Sequence, residues 1–460
     1  MPPRPPRTAS ALARWLCGLL VSLALGAWGG CQPEPATPSG AGPGVAAPVS
    51  ARFWFSYGGR NREVLEELIA RFHASQPHYR IDATFQGSYF DALAKLRTAL
   101  ITHEGPDFTH VIGEVLPYLW TAGVLQDLRP YLTGELPFDP ADLVPELTQE
   151  RMFAPLAGTE PPPLFALPFN RSTPIVFYDR DLFAAEGLSP PTTWEELRGV
   201  ARRLTRREGA VTTRWGLEIP VDWWFWVALL YQAGGQLLDA TGEQPRFQEA
   251  AGQEALQFLT DLVLEDQVLR PPPGQDYNAW EVANNDFLAG RAAMIWTSTA
   301  FLSYLTDNAP FRVGAAPLPG HATFGVPTGG TFFVLLRRAS PEASRAAWAF
   351  LHFMMQPAQT AYWSRRTGYL PVNVKALALP EIAELYRQDP NYRVALDQLA
   401  VARPFPFSPA LFTIQREQLA PRLDLPVLGL SDVASALEQA AAGARGVLWR
   451  QRHRCRVVDR

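Results

Sequence analysis

The chain has 460 residues, too many for one compact core, so two lobes or domains are expected. Its 47% apolar and 19% charged residues are a globular composition, and 14 Trp with 26 Phe supply rings for a core and for a cleft. The formal net charge of −4 becomes −7 once a leader with three arginines and no acid is removed, which argues against nucleic acid as the main partner.

The leader comes first in the chain. Arg4, Arg7 and Arg14 precede the apolar run "ALARWLCGLLVSLALGA", which is too short for a comfortable transmembrane helix and reads as a secretory signal over 1–31. "AWGGC" resembles a bacterial lipobox, with Trp28 where Leu is usual, so Cys31 is the expected lipidation site; ordinary cleavage nearby is the alternative. Residues 32–50, rich in Pro, Gly, Ala and Ser, read as a flexible tether. The other cysteines, Cys17 and Cys455, lie in the leader and the tail, so no internal disulfide is available to the body.

From residue 51 strands and helices alternate. "ARFWFS" alternates as a strand, and Asn61 is placed to cap a helix carrying Leu65, Leu68, Ile69 and Phe72 on one face. "YRIDATF" reads as a strand, "FDALAKLRTALIT" as a helix, "FTHVI" as a strand and "EVLPYLWTAG" as a helix, which predicts a mostly parallel sheet. In such sheets ligands sit beyond the carboxyl ends of the strands, where this chain offers Tyr57, Tyr89 and Glu114.

The proline cluster of "PLAGTEPPPLFALP" marks a boundary, after which "TPIVFYD" is a strand and Thr193 with Glu196 forms a capping box before a helix. "VDWWFWVALLYQAGG" puts Trp223, Trp226, Val227 and Leu230 on one helical stripe; core packing and ring stacking on a polyol or sugar both fit it. "FLAGRAAMIWTST" and "FGVPTGGTFFVLL" each lead a short turn into an apolar strand. Glycines such as Gly330 suit a close backbone approach to a ligand or a plain turn.

No GxGxxG, Walker A, GxSxG, HExxH or CxxC motif occurs, so no catalytic residue, cofactor or metal is expected. Glu114, Asp222 and Asp286 could be paired as a glycosidase would pair them, but a chain with 45 acids always offers such pairs.

The order "FWFSYGGRNREVLEELIARFHASQPHYRI", "QGSYFDALAKLRTAL", "PFNRSTPIVFYDRDLF", "PTTWEEL", "FLAGRAAMIWTS", "GGTFFVL" and "RRTGYLPVN" resembles the family 1 extracellular solute-binding proteins of bacterial ABC importers, nearest to their sn-glycerol-3-phosphate-binding branch. The resemblance implies an α/β, two-lobed periplasmic binding protein-like fold of type II, with a ligand cleft between lobes joined by a multi-strand hinge. Lobe one would be 51–166 plus 317–356 and lobe two 168–316 plus 357–445, followed by a basic, solvated tail at 446–460, which a contact with anionic lipid headgroups would also suit. "PFNRST" and "FRVGAAPLPG" would be crossing strands.

Carried over residue by residue, the resemblance implies ligand contacts from Tyr89, Glu114, Ser172, Trp223, Ser298, the backbone of Gly330, and Tyr369. Packing roles for the two tyrosines, and a helix-start role for Glu114, stay open. The family's phosphate-pairing arginine would fall at Phe412, with Arg416 nearby; Arg171 or Arg416 is the substitute cation, and without one a neutral saccharide competes with a phosphoglycerol. The implied activity is capture by hinge closure and delivery to the transmembrane subunits of an ABC permease, by a monomer lipid-anchored in the periplasm or cell envelope. A ligand-sensing lipoprotein and a lipid-anchored glycoside hydrolase are the alternatives.

Overall fold

A computed structural model describes residues 47–102, 104–148, 162–274 and 277–458. The expected leader, Cys31 and the tether up to residue 46 lie outside them. Among the described residues no helix is long and apolar enough to cross a membrane.

The first sheet is built by β1 (Val49–Phe55), β2 (Tyr79–Phe85) and β3 (Phe108–Ile112), linked by α1 (Gly59–Ser75) and α2 (Tyr89–Thr102). β1 is parallel to β2 and to β3, the pairing that helical crossovers enforce. The spacing of Val64, Leu65, Leu68, Ile69 and Phe72 buries one face of α1. α1 starts at Gly59 rather than after Asn61, because Tyr57 (φ 73°) and Gly59 (φ 57°) are left-handed and turn the chain early.

Two further strands complete that sheet. β4 (Leu167–Ser172) sits at its edge, and the late strand Gly329–Leu335 lies antiparallel between β3 and β4. Only Thr173 separates β4 from β5 (Pro174–Asp179), which belongs to a different sheet. Pro174 cannot donate a ladder hydrogen bond, so it suits the first position of the new strand.

The second sheet runs in the order Val313–Ala316, β5, Met294–Ser298, Leu217–Glu218, Leu269–Arg270. β5 is antiparallel to both neighbours. Phe53, Phe108, Phe333 and Phe350 bury against the first sheet, and Trp194, Trp226, Phe247 and Trp296 fill a second cluster. Each fully buried ring of this size contributes roughly 1.5–3 kcal/mol by leaving water.

After residue 356 the chain is shared between these cores. Helix Pro357–Thr367 packs on α1 and its Trp363 joins the cluster of Phe53, while Leu437, Ala440 and Ala441 of the last helix (Val433–Val458) join the second cluster. The basic C-terminal segment continues this helix to Val458.

The expected Thr193 cap forms with one change, whereas Asn61 lies inside α1, whose N-cap is Gly58 with no side-chain cap. Thr193 Oγ1 accepts from Glu196 N–H at 3.2 Å, but the Glu196 carboxylate accepts from Thr192 N–H at 2.7 Å rather than from Thr193.

Candidate ligand-binding site

A cavity of about 80 Å³ opens where the strand ends of the two sheets meet. Tyr89, Glu114, Ser172, Trp223, Ser298, Gly330 and Tyr369 all line it, so seven residues spread over the whole chain meet at one place. Among the described residues, Phe90, Ile112, Asp222, Trp224, Trp280 and Gly329 also line it. Tyr89 is shared with a larger chamber of about 590 Å³ between the start of α1 and the helix Tyr277–Leu288.

Local structure explains each position. Glu114 is the middle residue of the buried turn Gly113–Val115 that follows β3. Asp222 caps the helix Trp223–Gln232, accepting from Trp224 N–H at 2.7 Å, which brings Trp223 and Trp224 to the cavity wall while Trp226 is buried in the core. Trp224 stacks on Trp280 at 5.3 Å, and its indole N–H is buried without a partner, a donor available to a ligand. A Cβ on Gly329 would stand 2.6 Å from the Trp224 ring, so glycine is what lets the returning strand meet that indole.

Ser298 Oγ accepts from Ala300 N–H at 3.2 Å, which leaves the hydroxyl proton to donate. Gly330 has φ 92° at an irregularity where the returning strand leaves register with β4, and a Cβ there would lie 1.7 Å from the Asn170 carbonyl.

Behind the two tyrosines runs a buried hydrogen-bond chain. Ser56 N–H donates to His110 Nε2 at 3.0 Å, so the ring proton sits on Nδ1 and donates to Thr331 Oγ1 at 2.9 Å. Thr331 donates in turn through its hydroxyl, and through its N–H at 2.8 Å, to Asn170 Oδ1. Asn170 Nδ2 then donates to Tyr89 OH at 2.9 Å and Tyr369 OH at 3.3 Å. Burial pushes His110 down to about 3, so the imidazole is neutral and its donor pattern fixed. Both phenol oxygens thus accept from Asn170, and their protons are directed elsewhere.

The two candidate cations are placed differently. Arg171 alternates with Asn170 and Ser172 along β4 and faces the other side. Its guanidinium donates to the Leu147 carbonyl at 3.2 Å and Thr328 Oγ1 at 2.9 Å, and lines a separate small cavity. Arg416 stacks on Phe90, 4.0 Å from the ring centroid, but is not among the described residues lining the aromatic cavity. Phe412 packs near Phe90 and under Arg97. The described lining therefore holds two carboxylates, six aromatic rings and no lysine or arginine. Asp286 lies elsewhere, paired with Arg270 and Arg291. Among the described residues no three His, Cys, Asp or Glu side chains cluster as metal ligands.

Asn170, Trp224 and Trp280 escaped the sequence reading. Trp224 fell off the apolar stripe, and Asn170 is polar within a strand whose six residues are all buried, which is the signal that marks it.

The family model described as bacterial extracellular solute-binding protein matches residues 67–393. The sn-glycerol-3-phosphate-binding periplasmic protein UgpB of Shigella dysenteriae is 23% identical over 371 residues, covering 78% of this chain and 82% of that protein. The structure of UgpB from Mycobacterium tuberculosis in complex with glycerophosphocholine aligns with TM-score 0.76 at 25% identity, over 88% of this chain and 99% of that one. The GacH receptor of Streptomyces glaucescens aligns with TM-score 0.76 at 19% identity, over 87% and 98%. The architecture is the two-lobed α/β fold of type II periplasmic binding proteins, and these relatives bind solutes rather than transform them. The chain belongs to the bacterial extracellular solute-binding proteins.

Proposed function

We propose that this protein captures a polyhydroxylated ligand, a sugar or a glycerol-containing molecule, in the aromatic cavity. The observation that carries this reading is the lining itself. Rings for the apolar faces of a polyol, the carboxylates of Glu114 and Asp222 to accept its hydroxyls, and hydroxyl donors at Ser172 and Ser298 converge from both sheets. UgpB relatives and the GacH structure, named for a glycerophosphate and for acarbose, support the same ligand class.

The cavity draws residues from both sheets, so a ligand filling it favours the closed arrangement by its contacts with each. Lobe one in this reading holds the first sheet with helix Pro357–Thr367, and lobe two the second sheet with the C-terminal helix. β4 to β5 is one of the hinge crossings. The closed form is presented to the transmembrane subunits of an ABC permease by a monomer held in the cell envelope through lipidated Cys31.

Two carboxylates beside six rings also suit a cationic head group, which gives a second reading. Calorimetry with maltose, trehalose, glycerol-3-phosphate and glycerophosphocholine tests both, with Trp223→Ala as control. Micromolar binding of a polyol, weakened at least tenfold by Trp223→Ala, is expected; turnover of any of these, or binding indifferent to Trp223, overturns the reading. Uptake by cells carrying the protein and its permease separates import from ligand sensing. Labelling with radioactive palmitate, lost in Cys31→Ala, tests the anchor.

A further inference from the structure

We propose that the exposed end of the C-terminal helix is a membrane-surface contact, in which Arg445, Trp449, Arg450 and Arg452 seat against anionic phospholipid headgroups and orient the body on the membrane that holds it. The proposal rests on the envelope reading of the leader and concerns a surface apart from the ligand cavity, which none of these four residues lines.

The last helix (Val433–Val458) changes character along its length. Leu437, Ala440, Ala441, Ala444 and Leu448 recur every three or four residues and bury it in the second cluster. Leu448 is the last of its buried side chains among the described residues; Trp449, Arg450, Arg452 and His453 are exposed and Gln451 is half-buried. The packed half presents the exposed half as a formed helix, so docking orders little backbone.

Trp449 is 62% exposed, the one tryptophan among the exposed large apolar side chains described, and its ring stacks on His453 at 4.1 Å. Arg445, Trp449 and Arg452 follow one another at helical spacing and line one wall of a groove of about 380 Å³, whose other wall is formed by residues 241–244 and 407–409. Core packing accounts for Trp226 and Trp296 but not for this indole. A ring in apolar contact with its N–H in water suits the headgroup level of a bilayer.

Charge selects the occupant. Residues 445–460 hold six arginines and one acid, a charge of +5, which leaves −12 on residues 32–444. Glu438 pairs with Arg445 and Glu243 with Arg452, but both pairs are exposed, of the kind that contributes little and exchanges with a competing anion. Counting those two acids as well, this end keeps +3. The negative end of the helix also favours arginines in its last turns, yet that effect places no indole beside them. A flat anionic surface attracts this end and repels the rest of the body, which selects one orientation.

The test is flotation of the chain from residue 32 onward, which keeps the compact unit Ala47–Arg460 whole, with vesicles of phosphatidylcholine alone and of phosphatidylcholine mixed with phosphatidylglycerol, at low and at high salt. The variants are Trp449→Ala and the double substitution Arg450→Gln with Arg452→Gln. Arg345→Gln with Arg387→Gln is a control of equal charge on other helices. All five side chains are exposed, so the variants keep the fold, which thermal melting checks. The expected result is binding to the anionic vesicles only, weakened by high salt. At roughly fivefold per arginine near the surface, the Arg450 and Arg452 substitutions together weaken it more than tenfold. Trp449→Ala weakens it several-fold, and the control leaves it unchanged.

Equal binding to neutral vesicles, an equal loss in the control, or no vesicle binding overturns the membrane-surface contact. So does self-association in sedimentation that the same substitutions abolish, which would make a second copy the occupant. Palmitate labelling keeps the two readings apart: vesicle binding without labelling of Cys31 removes the anchor and leaves the surface, and labelling without vesicle binding does the reverse.

Discussion

Asn170 is predicted to organise the site while sitting outside its wall. Asn170→Ala removes four hydrogen bonds: two accepted from Thr331 and two donated to Tyr89 and Tyr369. The tyrosine hydroxyls reach the cavity and can be re-solvated, but Thr331 is fully buried, so its N–H and hydroxyl are stranded. At about 1–3 kcal/mol per buried unsatisfied group, offset by relaxation, the cost is on the order of 3 kcal/mol. With ~2.1 cal/mol/K of unfolding entropy per residue over a cooperative unit of about 400 residues, Tm falls by about 3–4 °C.

Ligand affinity is expected to fall about tenfold, because both phenols lose the donor that fixes their direction. Calorimetry on Asn170→Ala, Tyr89→Phe and the double variant measures the coupling, expected at about 0.5–1.5 kcal/mol. Additive losses would show that Asn170 does not act through Tyr89, and an unchanged Tm would refute the stranded-donor account.

Three further outcomes are expected. Burial, then the charge of Asp286, pushes Glu218 up to about 8 against the pull of Arg270. Its folded pKa exceeds its unfolded value of 4.5, so its stabilising effect is complete below pH 4.5 and is lost as pH rises through 8, a change on the order of 3–5 kcal/mol. Glu218→Gln removes that slope from chemical denaturation curves measured between pH 5 and about pH 9. His110 has the opposite sign: its folded value of about 3 lies below 6.5, so stability is full above pH 6.5 and is lost as pH falls towards 3. The slopes oppose each other between pH 4.5 and 6.5, so His110→Gln should expose a falling curve there; an unchanged curve would show that His110 is not neutral in the fold. Gly330→Ala is expected to cost about 3 kcal/mol or more, since it adds a Cβ against the Asn170 carbonyl at φ 92°, and a wild-type Tm would contradict the geometry.

Much of this molecule is decided by local sequence. The period of α1 and the alternation of β1 are legible because their buried faces repeat every three to four residues and every second residue. Ordered motifs such as "GSY", "TGYLP" and "GGTFFVL" carried the cleft residues through resemblance, and seven of them do line one cavity. Other features were decided only by tertiary structure. Arg171 and Arg416 look alike as candidate cations in the sequence, and the strand alternation of β4 and the stacking on Phe90 place both off the aromatic lining. Asn170 acquires its role from Thr331, Tyr89 and Tyr369, which stand 161, 81 and 199 residues away. The early start of α1 depends on Tyr57 at positive φ, a conformation that local preference opposes and that only surrounding packing can hold. Local periodicity fixes which face of an element is apolar, but hydrogen-bond partners and cavity walls come from distant segments whose meeting is settled when the two sheets pack.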